Sequence, residues 1–275
     1  MRARTFFLAV GAAAVTAAVG YGYAVRPWWR SWGVDPETSA ASLPGDGLVP
    51  DATVVDTRAI EIAASPAAVW PWLVQLGHGR GGWYSYDAMD MKGTSADAII
   101  PEWQTLAEGD LVAVAPGSGF VVRNLEPERA LVLYLDKAIV TEQAEKAAAA
   151  QASGEHAAEA SETAPTNVRA FGAAWSTMDF AASWAVVLEP LDGGVRTRLV
   201  ERMRVRVTGG QKGADAFLSV FGFGAFVMMR KQMLGIRDRV ERAMAAEVAE
   251  VGEPAAPPAP PASLPADPAV EPAAG

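Results

Sequence analysis

A strand pattern that hands over at once to a helix constrains this chain most. Thr53 to Ile62 reads as a strand. Ser65 then offers an N-cap, and Pro66 takes the first helical position, where its missing N–H costs nothing. The helix that follows sets Val69, Leu73 and Leu76 on one stripe with Trp70 and Trp72 beside it. Pro71 falls early enough in it to be tolerated. Further strand patterns run through Leu111–Ala115, Phe120–Asn124, Ala130–Leu135, Phe180–Glu189 and Val195–Val207. Pro116-Gly117-Ser118-Gly119 and Asp192-Gly193-Gly194 supply turns. The last element reads as a helix, because Phe226, Met229, Met233, Ile236, Val240 and Ala243 recur at spacings of three and four. The pattern predicts an α+β fold, a sheet wrapped around a helix, and such a sheet often encloses a ligand.

Length allows one good core with appendages in 275 residues. There is no cysteine, which removes disulfides and thiol chemistry. Histidine occurs only at 78 and 156, so neither a metal site nor any cofactor is expected. The net charge is −9. Its sources are local: residues 137–167 carry five acids and two bases, and residues 251–275 three acids and no base. An acidic chain without a basic block argues against nucleic acid as partner.

Phe6 to Val25 holds no charge and is flanked by Arg2, Arg4, Arg26 and Arg30. About twenty apolar residues are needed to span a bilayer. Tyr21, Tyr23, Trp28, Trp29 and Trp32 gather at its far end, where an aromatic belt would sit. Residues 1–26 are therefore expected to be a single-pass anchor in the cell membrane, with balanced arginines leaving the orientation open. A cleaved signal peptide is the rival reading, since small residues crowd Ala17 to Gly20. Residues 27–52, with Pro36, Pro44-Gly45 and Pro50, read as a linker. Residues 137–167 read as a flexible insertion or loose helix outside the core, and the Pro/Ala-rich residues 251–275 as a disordered tail.

The order of strand, helix, loop, several antiparallel strands and long C-terminal helix, with Ser65-Pro66-Ala67-Ala68-Val69-Trp70 after the first strand, resembles the START-like (Bet v 1-like, SRPBCC) superfamily. That group includes polyketide cyclases and lipid-transfer domains. The run Leu76 to Asp87, then Pro101-Glu102-Trp103 and Gly109-Asp110, is similar to a bacterial, often membrane-associated subgroup. The resemblance spans residues 53–250, apart from the insertion. It implies a helix-grip fold, a curved antiparallel sheet around the C-terminal helix with an apolar cavity between them. It does not imply one activity.

Strand parity singles out candidate site residues. Along Val195–Val207 the arginines at 196, 198, 202, 204 and 206 share one face, and Glu201, Met203 and Val205 share the other. The arginines are expected to face water, which leaves Glu201 inside. Arg58 shares a face with Asp56, Ile60 and Ile62 on the first strand. The resemblance makes the first and last strands neighbours, so Arg58 and Glu201 are expected to pair. That pair would be a structural ion pair or a polar anchor for a ligand in a cavity lined by Trp184, Met203, Met229, Met233 and Val240. Trp83, Tyr84, Tyr86 and Asp87 would pack under the sheet or gate that cavity. The glycines of Gly77–Gly82 lack a phosphate-loop ending and read as a tight turn, with His78 and Arg80 in a solvated loop.

No nucleophile stands beside a paired base, so hydrolase chemistry is unsupported. The function expected first is a non-catalytic carrier or sensor of an apolar small molecule or lipid, held at the membrane. The alternatives are a cyclase- or aromatase-type enzyme using Glu201, Tyr84 or Tyr86, and an accessory envelope protein that binds another protein.

Overall fold

Among the described residues six antiparallel strands form one sheet in the order β1-β6-β5-β4-β3-β2. They are β1 Val54–Ile62, β2 Leu111–Ala115, β3 Ser118–Glu126, β4 Ala130–Asp136, β5 Asp179–Leu191 and β6 Arg196–Thr208. The computed structural model describes residue 16 and residues 20–90, 94–153, 178–208 and 214–252. The first and last strands are neighbours, as expected, with Arg58 opposite Glu201 and Ile60 opposite Leu199.

Six helices accompany the sheet among the described residues: α1 Arg26–Arg30, α2 Pro36–Ala40, α3 Pro66–Val74, α4 Asp87–Asp90, α5 Lys137–Ala152 and α6 Ala214–Gly252. Helix α3 begins as its sequence dictates, with the Ser65 side chain accepting from the Ala68 N–H at 3.4 Å and Pro66 just inside. Helix α6 lays Phe226, Met229, Met233, Ile236 and Val240 into the interior, all buried. Ala243 is exposed, and Met244 takes the next packed position after Val240.

The sheet is covered on both faces, and this positions the site. The inner face packs Ile62, Leu133, Trp184 and Leu199 against α3 and α6. Each such fully buried side chain contributes about 1.5–3 kcal/mol relative to exposure. The outer face carries a second, smaller cluster of Ala59, Ala130, Val132, Ala185, Val187 and Val200, closed by Leu43 and Val34. Of residues 27–52, read as a linker from sequence, the part from Val34 to Asp51 is laid across that outer face.

This strap corrects the expectation that the β6 arginines face water for Arg202 and Arg204, whereas Arg196, Arg198 and Arg206 stay partly exposed. The arginines do share the outer face, but Arg202 is only 3% exposed. It donates to Thr57 Oγ1, Asp46 Oδ2 and the carbonyls of Thr38, Ser39 and Ala41. Arg204 donates to the carbonyls of Val49 and Pro50, and Arg206 pairs with Asp51. The prolines of this segment removed any periodic signal, so its partner had to be read from the sheet rather than from the segment.

The insertion is corrected at its start. Asp136 accepts from the Ile139 N–H and opens α5. Ile139 and Val140 then pack against the main core. Gln143 bonds both the N–H and the carbonyl of Gly119. The rest of the insertion, 154–167, and the tail beyond Gly252 lie outside the described residues. So does most of Phe6–Val25. Among the described residues no helix is long and apolar enough to cross a membrane.

Candidate functional site

Buried charge converges where β1 and β6 pass under α6. Asp56 and Arg58 are two apart on β1 and so point to the same face. Arg58 is 1% exposed and Glu201, its cross-strand neighbour, 0%. Strand parity thus placed both residues inside, as expected.

Their expected direct ion pair is not formed. Arg58 Nη2 instead donates to Asp56 Oδ2 at 3.2 Å, and Arg30 Nε donates to Asp56 Oδ1 at 2.6 Å. The carboxylate of Asp56 therefore sits between two guanidinium groups. The remaining Arg58 donors reach the Trp29 carbonyl at 3.1 Å and Met229 Sδ at 3.3 Å. The guanidinium also lies 5.4 Å from the Phe226 ring centroid and 5.9 Å from that of Trp29, within range of cation–π attraction. Burial pulls the Arg58 pKa down, while Asp56 and, less strongly, Glu201 hold it up. Asp56 was legible as an inner-face residue. The alternation rule does not say which of two inner carboxylates an arginine takes, and the one on its own strand needs no matched side-chain reach across the ladder. Arg30 carried no such signal, because it lies in the segment read as a linker.

Glu201 is left without a partner. Neither carboxyl oxygen makes a hydrogen bond, and neither does Nε1 of Trp184. Trp184 lies diagonally across β5 from Glu201, since it faces Met203 while Val186 faces Glu201. Burial pushes the Glu201 carboxyl up to about 8; Arg58 and then the Trp184 indole N–H pull the other way. The indole thus favours the carboxylate without meeting it in hydrogen-bond geometry. At neutral pH the group is mainly the neutral acid, able to donate as well as accept. A buried polar group with no partner costs about 1–3 kcal/mol, so two nearby orphans are not what packing alone selects.

The other sequence-derived candidates divide into two groups. Trp83 stacks on Trp184 with ring centroids 5.6 Å apart, and Phe120 meets Trp184 edge-on at 5.9 Å. Met203 is half-buried against the same core, Met229 touches Arg58, and Met233 is fully buried. These belong to the main core, in which register sets Trp184 and Met203 nearest to Glu201. Tyr84 and Tyr86 do not join it through Glu201, which bonds neither. The Tyr84 hydroxyl accepts from Gln75 Nε2 at 2.7 Å, and burial drives its pKa up to about 12. Tyr86 is 41% exposed.

Gln75 is the hub that the sequence did not reveal. It is fully buried, donates to the Ala98 carbonyl and accepts from the Ile100 N–H. The glycine turn is confirmed by a bridge between Gly77 and Gly82, both at positive φ. Arg80 is half-buried rather than free in a solvated loop: it donates to the carbonyls of Val74 and Trp103 and so closes the C-terminal end of α3. No group of histidine, aspartate and glutamate suited to a metal occurs among the described residues.

No protein-family model matches the chain. No curated protein matches it either. Among solved structures it is similar to a conserved protein from Geobacillus kaustophilus, at 11% identity and a TM-score of 0.34, over 69% of this chain and 97% of the other. That likeness is too distant to carry any argument about the site.

Proposed function

We propose that this protein binds an apolar small molecule or lipid between the inner face of its sheet and α6, with Glu201 as the polar anchor. One observation carries the reading: a fully buried carboxyl and the nearby Trp184 indole N–H, both without partners, beside a core that holds Trp83, Phe120, Met203 and Met233. A ligand with one polar group at an apolar body would satisfy both orphans. Arg58 takes its ion pair from Asp56, which it shares with Arg30, and neither carboxyl oxygen of Glu201 is occupied by it. The strand order and the C-terminal helix agree with the helix-grip architecture that the START-like resemblance implies. In this reading Phe6–Val25 holds the domain at the membrane.

Purification of the full chain from membranes in mild detergent, solvent extraction and mass measurement of the released molecules test the proposal. One enriched apolar compound is expected, lost in Glu201→Leu and reduced in Trp184→Phe while both variants stay folded. Extracts that hold only bulk lipid in bilayer proportions, unchanged in the variants, would sink it. Washing the membranes with alkaline carbonate checks the anchor; release of the full-length chain would remove that part alone.

A cyclase- or aromatase-type enzyme is the second reading. The neutral Glu201 acid favours it, as a proton donor away from bulk water. Its test is chemical change of the extracted compound by the wild-type protein and not by Glu201→Gln.

A further inference from the structure

We infer that the end of the domain where α1 meets the start of α6 is a docking surface for an anionic phospholipid bilayer. This goes beyond ligand binding and holds whether residues 6–25 span the membrane or lie along it.

Two stretches far apart in sequence build this end. Trp28 of α1 meets Phe226 of α6 with ring centroids 5.5 Å apart, and Trp29 meets Phe223 at 6.2 Å. The approach is close, because a Cβ added at Gly222 would stand 2.9 Å from Trp29 Cη2. Trp29 and Phe226 are buried in the junction, yet their neighbours are not. Trp28 is 56% exposed, Phe223 41%, Val227 37% and Tyr23 85%. Large apolar side chains cluster here on adjacent elements, and a contiguous exposed apolar patch marks an interaction surface.

Charge selects the partner. Residues 20–34 and 221–231 carry four bases and no acid in a chain of net charge −9; Arg30 is held by Asp56, which leaves Arg26, Arg230 and Lys231 to the surface. Arg230 and Lys231 are exposed, and the Arg230 guanidinium rides 4.9 Å over the Trp32 ring. Aromatic side chains with basic neighbours suit the headgroup layer, where the rings enter the acyl boundary and the cations meet lipid phosphates. Continuity points the same way. The uncharged run Phe6–Val25 ends in this patch, passing through Tyr21–Val25 directly into α1.

The chain has no cysteine, so Phe223→Cys and Val227→Cys each create one labelling position. Val195→Cys, in the exposed turn between β5 and β6, is the control. Each full-length variant carries an environment-sensitive NBD label and is reconstituted into phosphatidylcholine vesicles with or without phosphatidylserine. Blue-shifted emission, quenched by headgroup-region nitroxide lipids, is expected at 223 and 227 and not at 195. The quenching should strengthen with phosphatidylserine, and the joint change Arg230→Glu with Lys231→Glu should abolish that gain. Water-like emission at 223 and 227 would overturn the inference. So would blue-shifted emission that nitroxide lipids leave unquenched, which would mean that the protein's own N-terminal segment or a second copy covers the patch. Quenching indifferent to phosphatidylserine would overturn the assignment to anionic lipid.

Discussion

Glu201 and Arg202 are adjacent in sequence, sit on opposite faces of β6 and are both buried, yet their fates differ. Arg202 makes five hydrogen bonds to the strap and to Thr57. Glu201 makes none. Removal from water penalises both charges. On the outer face the chain supplies a partner for every Arg202 donor, so that charge is structural: it fastens residues 38–46 to the sheet. On the inner face nothing supplies them, and the group gives up its proton only at high pH. Burial alone therefore does not mark a site, whereas burial without satisfaction does. Asp56 and Arg58 share the inner face with Glu201 but resemble Arg202, because each is paired.

The largest effects should fall on the satisfied charges. Arg202→Ala is expected to destabilise by about 3–5 kcal/mol, since it strips the strap carbonyls and Asp46 of their donor. Asp56→Ala should cost a similar amount by leaving Arg58 without its carboxylate. Denaturant unfolding measures both. If Glu201→Ala proves as costly as Asp56→Ala, the contrast within the inner face collapses and Glu201 must be counted as the partner of Arg58.

The next effect is a pH dependence. The unfolded Glu201 has its ordinary pKa of 4.5, and the folded one about 8. Between those values the folded state holds a proton that the unfolded state lacks, so stability falls as pH rises. The slope from this group is at most about 1.4 kcal/mol per pH unit and ends above the folded pKa. Glu201→Gln should remove it. Wild type and variant should therefore diverge from pH 5 to pH 8 in favour of the variant. Parallel stability curves through that window would mean that Glu201 is charged and compensated in the folded protein.

Much of this was legible from alternation and spacing. The β1 and β6 patterns placed Arg58 and Glu201 inside, and the stripe of α6 gave Met229, Met233 and Val240. Parity reports a face and not a partner, so the switch from Glu201 to Asp56 lay beyond it. The strap escaped because Pro36, Pro44 and Pro50 leave a segment without period, and its hold on the sheet runs through backbone carbonyls, which every sequence possesses. Gln75 escaped for a similar reason. A buried glutamine bonded to Tyr84 and to main-chain groups looks, in sequence, like any polar residue at a helix end. The alanine-rich composition of residues 137–152 also hid the two apolar residues and the one glutamine that dock it.

The smallest expected effect tests that docking, and with it the division between core and appendage. Gln143 reaches from α5 to Gly119, accepting from its N–H at 3.1 Å and donating to its carbonyl at 3.0 Å. The site is backbone-only, because a Cβ at Gly119 would stand 2.3 Å from the Val112 carbonyl oxygen. A partner for these groups must therefore come from outside the hairpin of β2 and β3. The contact lies beside the irregular pairing between Ala113 and Ala115, where the ladder is interrupted. Gln143→Ala should cost about 1 kcal/mol, the net worth of such bonds at a half-buried position. In a domain of this size that lowers Tm by about 2–4 °C. Gln143→Glu should cost at least as much, since a carboxylate can accept from the N–H but cannot donate to the carbonyl. A melting temperature unchanged in both variants would return α5 to the appendages, with the core interrupted from Asp136 to β5.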